Sequence, residues 1–271
     1  MPSSPPPPAP IRNVTTIAET IDAISTIIDW SIATASRLGY VAAMYKRITI
    51  AVGAAIEQGM FENGPRMERF DVTFAMRYFD AINGHFHPGS FPAPTRSWQV
   101  VFNTADLVQP IILQHMLAGV NTHILLDLGI VAREISPRLS ALRQDFNTIN
   151  AVLASQVSGV VEEIDSLSPA LADVYAVLKQ RQIFVINEAV RDMRDSAWRF
   201  ASLLALEPSF VRPATIWMRD HQVAGQDELI SNPLASTLLN TVAERESRDI
   251  VKNLRVLDEI VSAPAPIKTA L

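Results

Sequence analysis

Apolar residues recur along this chain at steps of three and four, and no run of strict alternation stands out. Positions so spaced share one side of a helix, so the pattern marks helices that each bury one face. It predicts an all-α fold, a single-domain multi-helix bundle. The first helix opens near Asn13, with Thr16 and Glu19 at the spacing of a capping box. Ile17, Ile21, Ile24 and Ile28 form its stripe. A second helix is predicted over 41–57, stopping near Gly59. Pro65 opens a third, in which Phe70, Phe74 and Ala81 recur on one face and Asn83 and Gly84 mark the end. The stretch GHFHPGSFPAPT reads as a loop, followed by a short helix over 96–102.

A long apolar helix is predicted over 109–134 as the buried centre of the bundle. Pro137 ends it and opens the next segment. There Leu142, Phe146, Ile149, Leu153, Val157, Val160 and Ile164 form a packing seam. Pro169 starts a short helix to about Leu178, and another is predicted over 183–206. Pro208 and Pro213 interrupt the chain before ATIWMRDHQV, and a last helical section covers 227–261. The start, MPSSPPPPAP, favours an extended polyproline segment. The expected organisation is a disordered proline-rich tail over 1–12, a helical domain over 13–262 and a frayed tail over 263–271.

Composition narrows the function. Hydrophobic residues make up 48% of the chain and charged ones 19%, enough for a large core and an apolar cavity. A net charge of −5 argues against a nucleic-acid partner, which needs a basic stripe. The absence of cysteine excludes disulfides, thiolate metal sites and cysteine nucleophiles. No basic patch precedes an apolar run at the N-terminus, so no secretory signal is read and a cytoplasmic location is expected. The span from Leu107 to Leu126 lacks charged residues and is long enough to cross a bilayer. Its Gln109, Gln114, His115, Asn121 and His123 would be costly in lipid. The expectation is a buried helix and no transmembrane segment.

Candidate chemistry concentrates in LQHMLAGVNTHILLDLGI, residues 113–130. His123 and Asp127 are four apart and share a helix face. Such a pair can hold zinc, iron or manganese, or the carboxylate can simply accept a hydrogen bond from the ring. His115 lies roughly 12 Å away along the axis at ~1.5 Å per residue, too far to share one ion easily. Asp71, Asp80, His85, His87 and Asp195 are candidate further ligands, none at a diagnostic spacing. Asp80 is placed to pair with Arg77, and Arg191 with Asp195, at helical spacing. His85 and His87 read as solvated loop histidines or a lid. Arg194, Asp195 and Trp198 are candidates to face a pocket. Tyr78, Trp98 and Trp198 read as core anchors or as platforms for a substrate. There is no nucleophile elbow, Walker loop, dinucleotide fingerprint, H-E-x-x-H pair or aspartate-rich diphosphate motif.

The ordered set ERFDVTFAMRYFDAI, RSWQVVF, LQHMLAGVNTHILLDLGI, DFNTINAVL and RDSAWRFA resembles an all-helical family of bacterial and fungal proteins, domain of unknown function 5995. The resemblance covers about Tyr45–Leu206. It implies a helical fold and carries no catalytic residues over.

The first functional expectation is a small-molecule biosynthetic enzyme of secondary metabolism. It would be of cyclase or pericyclase type, such as a Diels–Alderase, holding a hydrophobic terpenoid or polyketide in an apolar pocket without a redox cofactor. Its expected catalytic residues are His115, His123, Asp127 and Arg194, with Tyr78, Trp98 and Trp198 against the substrate. Both histidines are expected to face the interior, at least one beside an apolar cavity. The alternatives are a metal-dependent hydrolase holding its ion with His123 and Asp127, and a non-catalytic ligand-binding helical module.

Overall fold

The architecture follows from helices that each have one apolar face. A computed structural model describes residues 6–136, 138–171, 173, 182–232 and 237–261. Its helices are α1 (Ile17–Thr34), α2 (Leu38–Glu57), α3 (Gly64–Phe86), α4 (Arg96–Ala105), α5 (Ile112–Thr122), α6 (Leu128–Ile135), α7 (Arg143–Leu167), α8 (Gln182–Leu206), α9 (Arg212–Ile230), α10 (Thr237–Arg245) and α11 (Ile250–Val261). No strand occurs among the described residues. The fold is all-α, with α5, a π-helical turn over His123–Asp127, and α6 forming one long buried central rod. This rod, Ile112–Ile135, is long and apolar enough to cross a bilayer, and 78% of its most apolar window is buried inside the protein.

Two large apolar clusters, with a smaller third around Leu125, Leu126, Phe200, Leu204 and Val223, make the core. One joins α1, α2, α3, α4 and α5 with Val242 of α10 and Leu254 and Leu257 of α11. The other joins the ends of α2 and α3 with α6, the first half of α7, and α8. Phe74 of α3 packs against both. The seam of α7 is buried at Leu142, Phe146, Ile149, Val157 and Ile164. Leu153 and Val160 are only half-buried, while Val152, Gln156 and Val161 turn inward.

Several boundaries differ from the sequence expectation, for physical reasons. The capping box at Thr16 and Glu19 forms as expected. Asn83 and Gly84 do not end α3, which continues to Phe86. Gly84 is needed for close approach instead, since a Cβ there would lie 2.2 Å from the Pro92 carbonyl oxygen. Pro213 does not interrupt a helix but sits in the first turn of α9, where its missing N–H costs nothing. The single last section expected over 227–261 is the end of α9 followed by α10 and α11. The short helix expected from Pro169 to Leu178, and the frayed tail over 263–271, lie largely or wholly outside the described residues.

Residues 6–12, expected in a disordered tail, lie against the helices. Asn83 is buried, and its amide pairs both ways with Ile11 at 2.9 and 2.8 Å. Trp30 Nε1 donates to the Pro6 carbonyl at 2.8 Å, and His87 Nε2 lies 2.8 Å from that of Pro8. A polyproline segment makes no internal hydrogen bonds, so its carbonyls are free to satisfy these groups.

Two glycine substitutions test this packing. Gly84→Ala is expected to destabilise by about 1–3 kcal/mol through overpacking against Pro92. Gly225→Ala, with open space around its Cβ within α9, is expected to stabilise by about 0.5–1 kcal/mol. Urea unfolding of the three proteins measures both.

Candidate functional site

The site forms where α3, α4 and the π turn meet. Asp127 is fully buried. Its Oδ1 accepts from Arg77 Nε at 3.0 Å, and its Oδ2 from Trp98 Nε1 at 2.9 Å. His123 Nδ1 lies 3.0 Å from the same Oδ2. Burial alone would raise the carboxyl's pKa, but His123, Arg77 and Trp98 together hold it below the ordinary value. Asp127 is therefore ionised and can only accept, so Nδ1 carries the imidazole proton and Nε2 keeps its lone pair. Burial lowers the His123 pKa, with Asp127 opposing, and the ring is neutral at pH 7.

Aromatic rings enclose this imidazole. Phe74 lies flat on it at 3.6 Å and 9° between planes. Tyr45 meets it edge-on at 5.0 Å, and Trp98 and Tyr78 complete the chamber at 5.7 and 6.2 Å. Phe74 is itself only half-buried. His123 Nε2 is buried and has no hydrogen-bond partner among the described residues.

Distant elements hold these side chains. Thr95 makes no side-chain cap for α4. Asp220 of α9 supplies one, accepting from Arg96 N at 2.8 Å, Ser97 N at 2.9 Å and Ser97 Oγ at 2.7 Å. A carboxylate at a helix N-terminus also complements its dipole. The cap orients α4 and so aims Trp98. Asp227 of α9 accepts from Asn121 and Thr122 at 2.9 and 2.6 Å, just before the π turn. Arg219 Nε donates to the Leu125 carbonyl within that turn at 2.9 Å. π turns interrupt regular helical bonding and are frequent at functional sites.

The expected site residues separate into three places. His123, Asp127, Trp98 and Tyr78 come together. His115 is also buried but lies beside Tyr40, ring centres 5.9 Å apart. Burial and the charge of Arg37 push His115 down to about 4, against a hydrogen bond to the Pro110 carbonyl. The cavity beside it is about 10 Å³, the size of one water, and is lined by the polar groups of Arg37, Tyr40, Glu246 and Arg248 as well as apolar ones. Arg194 and Trp198 occupy the third place. Arg194 donates to Asn150 Oδ1 at 2.5 Å and to the Phe146 carbonyl at 2.7 Å. Burial lowers its pKa to about 9, with Asp195 opposing. Trp198 packs on Phe146 at 4.8 Å with Arg143 over its ring.

Two expected ion pairs are replaced. Arg77 turns to Asp127 rather than to exposed Asp80, because a fully dehydrated carboxylate gains more from a cation than a hydrated one does. Arg191 pairs with Glu188 at 3.0 Å rather than with Asp195. His85 lies exposed in the last turn of α3 and not in a loop. The sequence reading missed Tyr45 and Phe74 as chamber walls. Their only signal was aromatic residues on helical stripes, which ordinary core shares.

As a metal centre the arrangement is poor in donors. Both Asp127 oxygens already accept hydrogen bonds, and no three His, Asp or Glu side chains converge among the described residues.

The family described as "Family of unknown function (DUF5995)" matches residues 17–233. The chain belongs to this family. The match is wider than the resemblance read over Tyr45–Leu206. It takes in α1 and α9, hence Asp220 and Asp227, and stops before α10. No curated protein and no solved structure matches the chain.

Removing the acceptor tests the network. Asp127→Ala leaves the Arg77, Trp98 and His123 donors facing a core without a counter-charge, and is expected to cost on the order of 3–5 kcal/mol in urea unfolding. Asp71 tests the opposite situation. Among the described residues it is buried without a cation, and burial raises its carboxyl to about 7. A folded-state pKa above the unfolded 3.8 means that the folded protein takes up the proton first as pH falls. The stability Asp71 contributes is thus present in acid and lost as pH rises toward 7. Asp71→Asn removes this dependence, so its stability relative to wild type is expected to increase between pH 4 and 8 in unfolding series.

Proposed function

We propose that this protein is an enzyme that cyclises or isomerises a hydrophobic small molecule, of terpenoid or polyketide character, by acid–base chemistry at His123. No redox cofactor takes part. The observation that carries this reading is the Nε2 lone pair of a neutral, carboxylate-oriented imidazole, buried in an aromatic chamber without a partner. A buried unsatisfied nitrogen costs about 1–3 kcal/mol; His115 Nε2 is also unpartnered among the described residues, but His115 bonds the Pro110 carbonyl, whereas His123 is held by a carboxylate that can stabilise its cation. Here Asp127 fixes the tautomer and stabilises the imidazolium formed when Nε2 takes a proton. Arg77 and Trp98 keep Asp127 ionised while it does so. The surrounding rings suit an apolar substrate and exclude water, and rotation of the half-exposed Phe74 side chain admits it.

His115, Arg194 and Trp198 are assigned no contact with the reacting atoms in this reading. Tyr78 and Trp98 wall the chamber.

The experiment is conversion of a panel of carbonyl-bearing terpenoids and polyketides, followed by mass spectrometry and chromatography. His123→Gln and Asp127→Asn are expected to lower conversion by about 100-fold or more, while circular dichroism shows a retained helical fold. Wild-type conversion in a folded His123→Gln protein would remove the proposal. Loss of conversion on chelation, with metal found by elemental analysis, would favour the hydrolase reading instead.

A further inference from the structure

Two more polar atoms beside this chamber are buried without a hydrogen-bond partner among the described residues, the Tyr45 hydroxyl oxygen and Asp71 Oδ2. Both side chains are more than nine-tenths buried, at 8% and 5% exposure. The Thr49 hydroxyl, which donates to the Tyr45 backbone carbonyl at 3.1 Å, lies near the phenol without a hydrogen bond of standard geometry to it. Asp71 stands one turn before Phe74 on α3, and it is the strongest neighbouring charge on the Tyr45 phenol. Tyr45 in turn contacts Phe74, Tyr78 and His123. Two of the unpartnered groups, His123 and Tyr45, thus pack against Phe74, and the third, Asp71, stands one turn before it on α3. Native proteins leave few such groups unexplained, and a ligand is one explanation.

We propose that Tyr45 and Asp71 form a neutral donor pair for a carbonyl oxygen, so that the substrate is a hydrophobic ketone whose α-proton His123 removes. This rests on His123 being the base. In the step, Nε2 takes the proton from the α-carbon. The C–H electron pair forms the new carbon–carbon double bond, and the carbonyl π pair moves to oxygen. The developing enolate accepts hydrogen bonds from the Tyr45 hydroxyl and from protonated Asp71. Return of the same proton from Nε2 to the γ-carbon of a β,γ-enone gives the conjugated α,β-enone, with no atom or electron gained or lost. Preorganised donors in a water-excluded site are worth far more than the same donors in water.

The protonation states agree with these roles. Burial raises the phenol well above its ordinary value, and nearby Asp71 and Asp127 raise it further. Burial raises Asp71 to about 7, and no cation opposes it. Arg77, the cation of the site, is engaged by Asp127. A carboxylic acid kept neutral by an apolar site can donate a hydrogen bond that a carboxylate cannot.

The experiment uses two probes on the full chain, α-proton exchange of 2-tetralone in deuterated water by proton NMR, and binding of 2-naphthol, an enolate mimic, by fluorescence. Wild type is expected to accelerate exchange, and His123→Gln to abolish it. Tyr45→Phe and Asp71→Leu, which remove the two donors while staying close in shape to the native residues, are each expected to slow exchange and weaken 2-naphthol binding by about tenfold or more. The wild-type rate is expected to fall as pH rises through about 7, where Asp71 loses its proton, and Asp71→Asn to lack that fall. Unchanged exchange in Tyr45→Phe and Asp71→Leu, with His123→Gln inactive, overturns the donor pair and leaves the base assignment standing. Altered melting with unchanged exchange and binding overturns it in favour of a structural water. Failure of wild type with both probes overturns the ketone assignment, while the wider substrate panel still judges His123.

Discussion

Asp127 carries a negative charge to a position with no exposure to solvent, where protein donors must replace the water it has lost. The three donors come from different parts of the chain. Arg77 belongs to α3, Trp98 to α4, and His123 to the π turn that also holds Asp127. Each donor can reach only if its own element is placed correctly, so satisfying one charge ties three elements together. Two further carboxylates support the arrangement from α9. Asp220 caps α4, and Asp227 holds the segment just ahead of the π turn.

Buried carboxylates in this bundle take opposite directions, and their partners decide which. Asp127 has a guanidinium and two N–H donors, and stays ionised. Among the described residues Asp71 has no cation beside it and Asp227 accepts from an amide and a hydroxyl, and burial raises both to about 7. The same fold thus holds one carboxylate ionised and another carboxyl near its titration point.

Much of the framework was legible in the residues. The Thr16 and Glu19 cap, the isoleucine stripe of α1 and most of the α7 seam are local patterns, and they appear as expected. The errors came where a residue type has two uses. Gly84 reads as a helix stop, but its lack of a side chain serves the approach of the Pro92 carbonyl. Pro213 reads as a breaker, but lies where a proline is tolerated. The N-terminal prolines read as a solvated tail, but their free carbonyls meet the needs of Trp30, His87 and, next to them at Ile11, Asn83.

By itself the sequence determined that the chain is helical, that the segment around His123 is buried, and that His123 and Asp127 share one face. These follow from spacings of three and four residues, which act within a single helix. Only the tertiary structure decided that the pair is completed by Arg77, 50 residues away, and by Trp98, and that His115 and Arg194 stand elsewhere. Arg77 had a carboxylate three residues along its own helix and turned to the distant one. The reason is dehydration. The energy of a charge–charge or donor–acceptor pair depends on how completely water is excluded, and that is settled by which helices pack together.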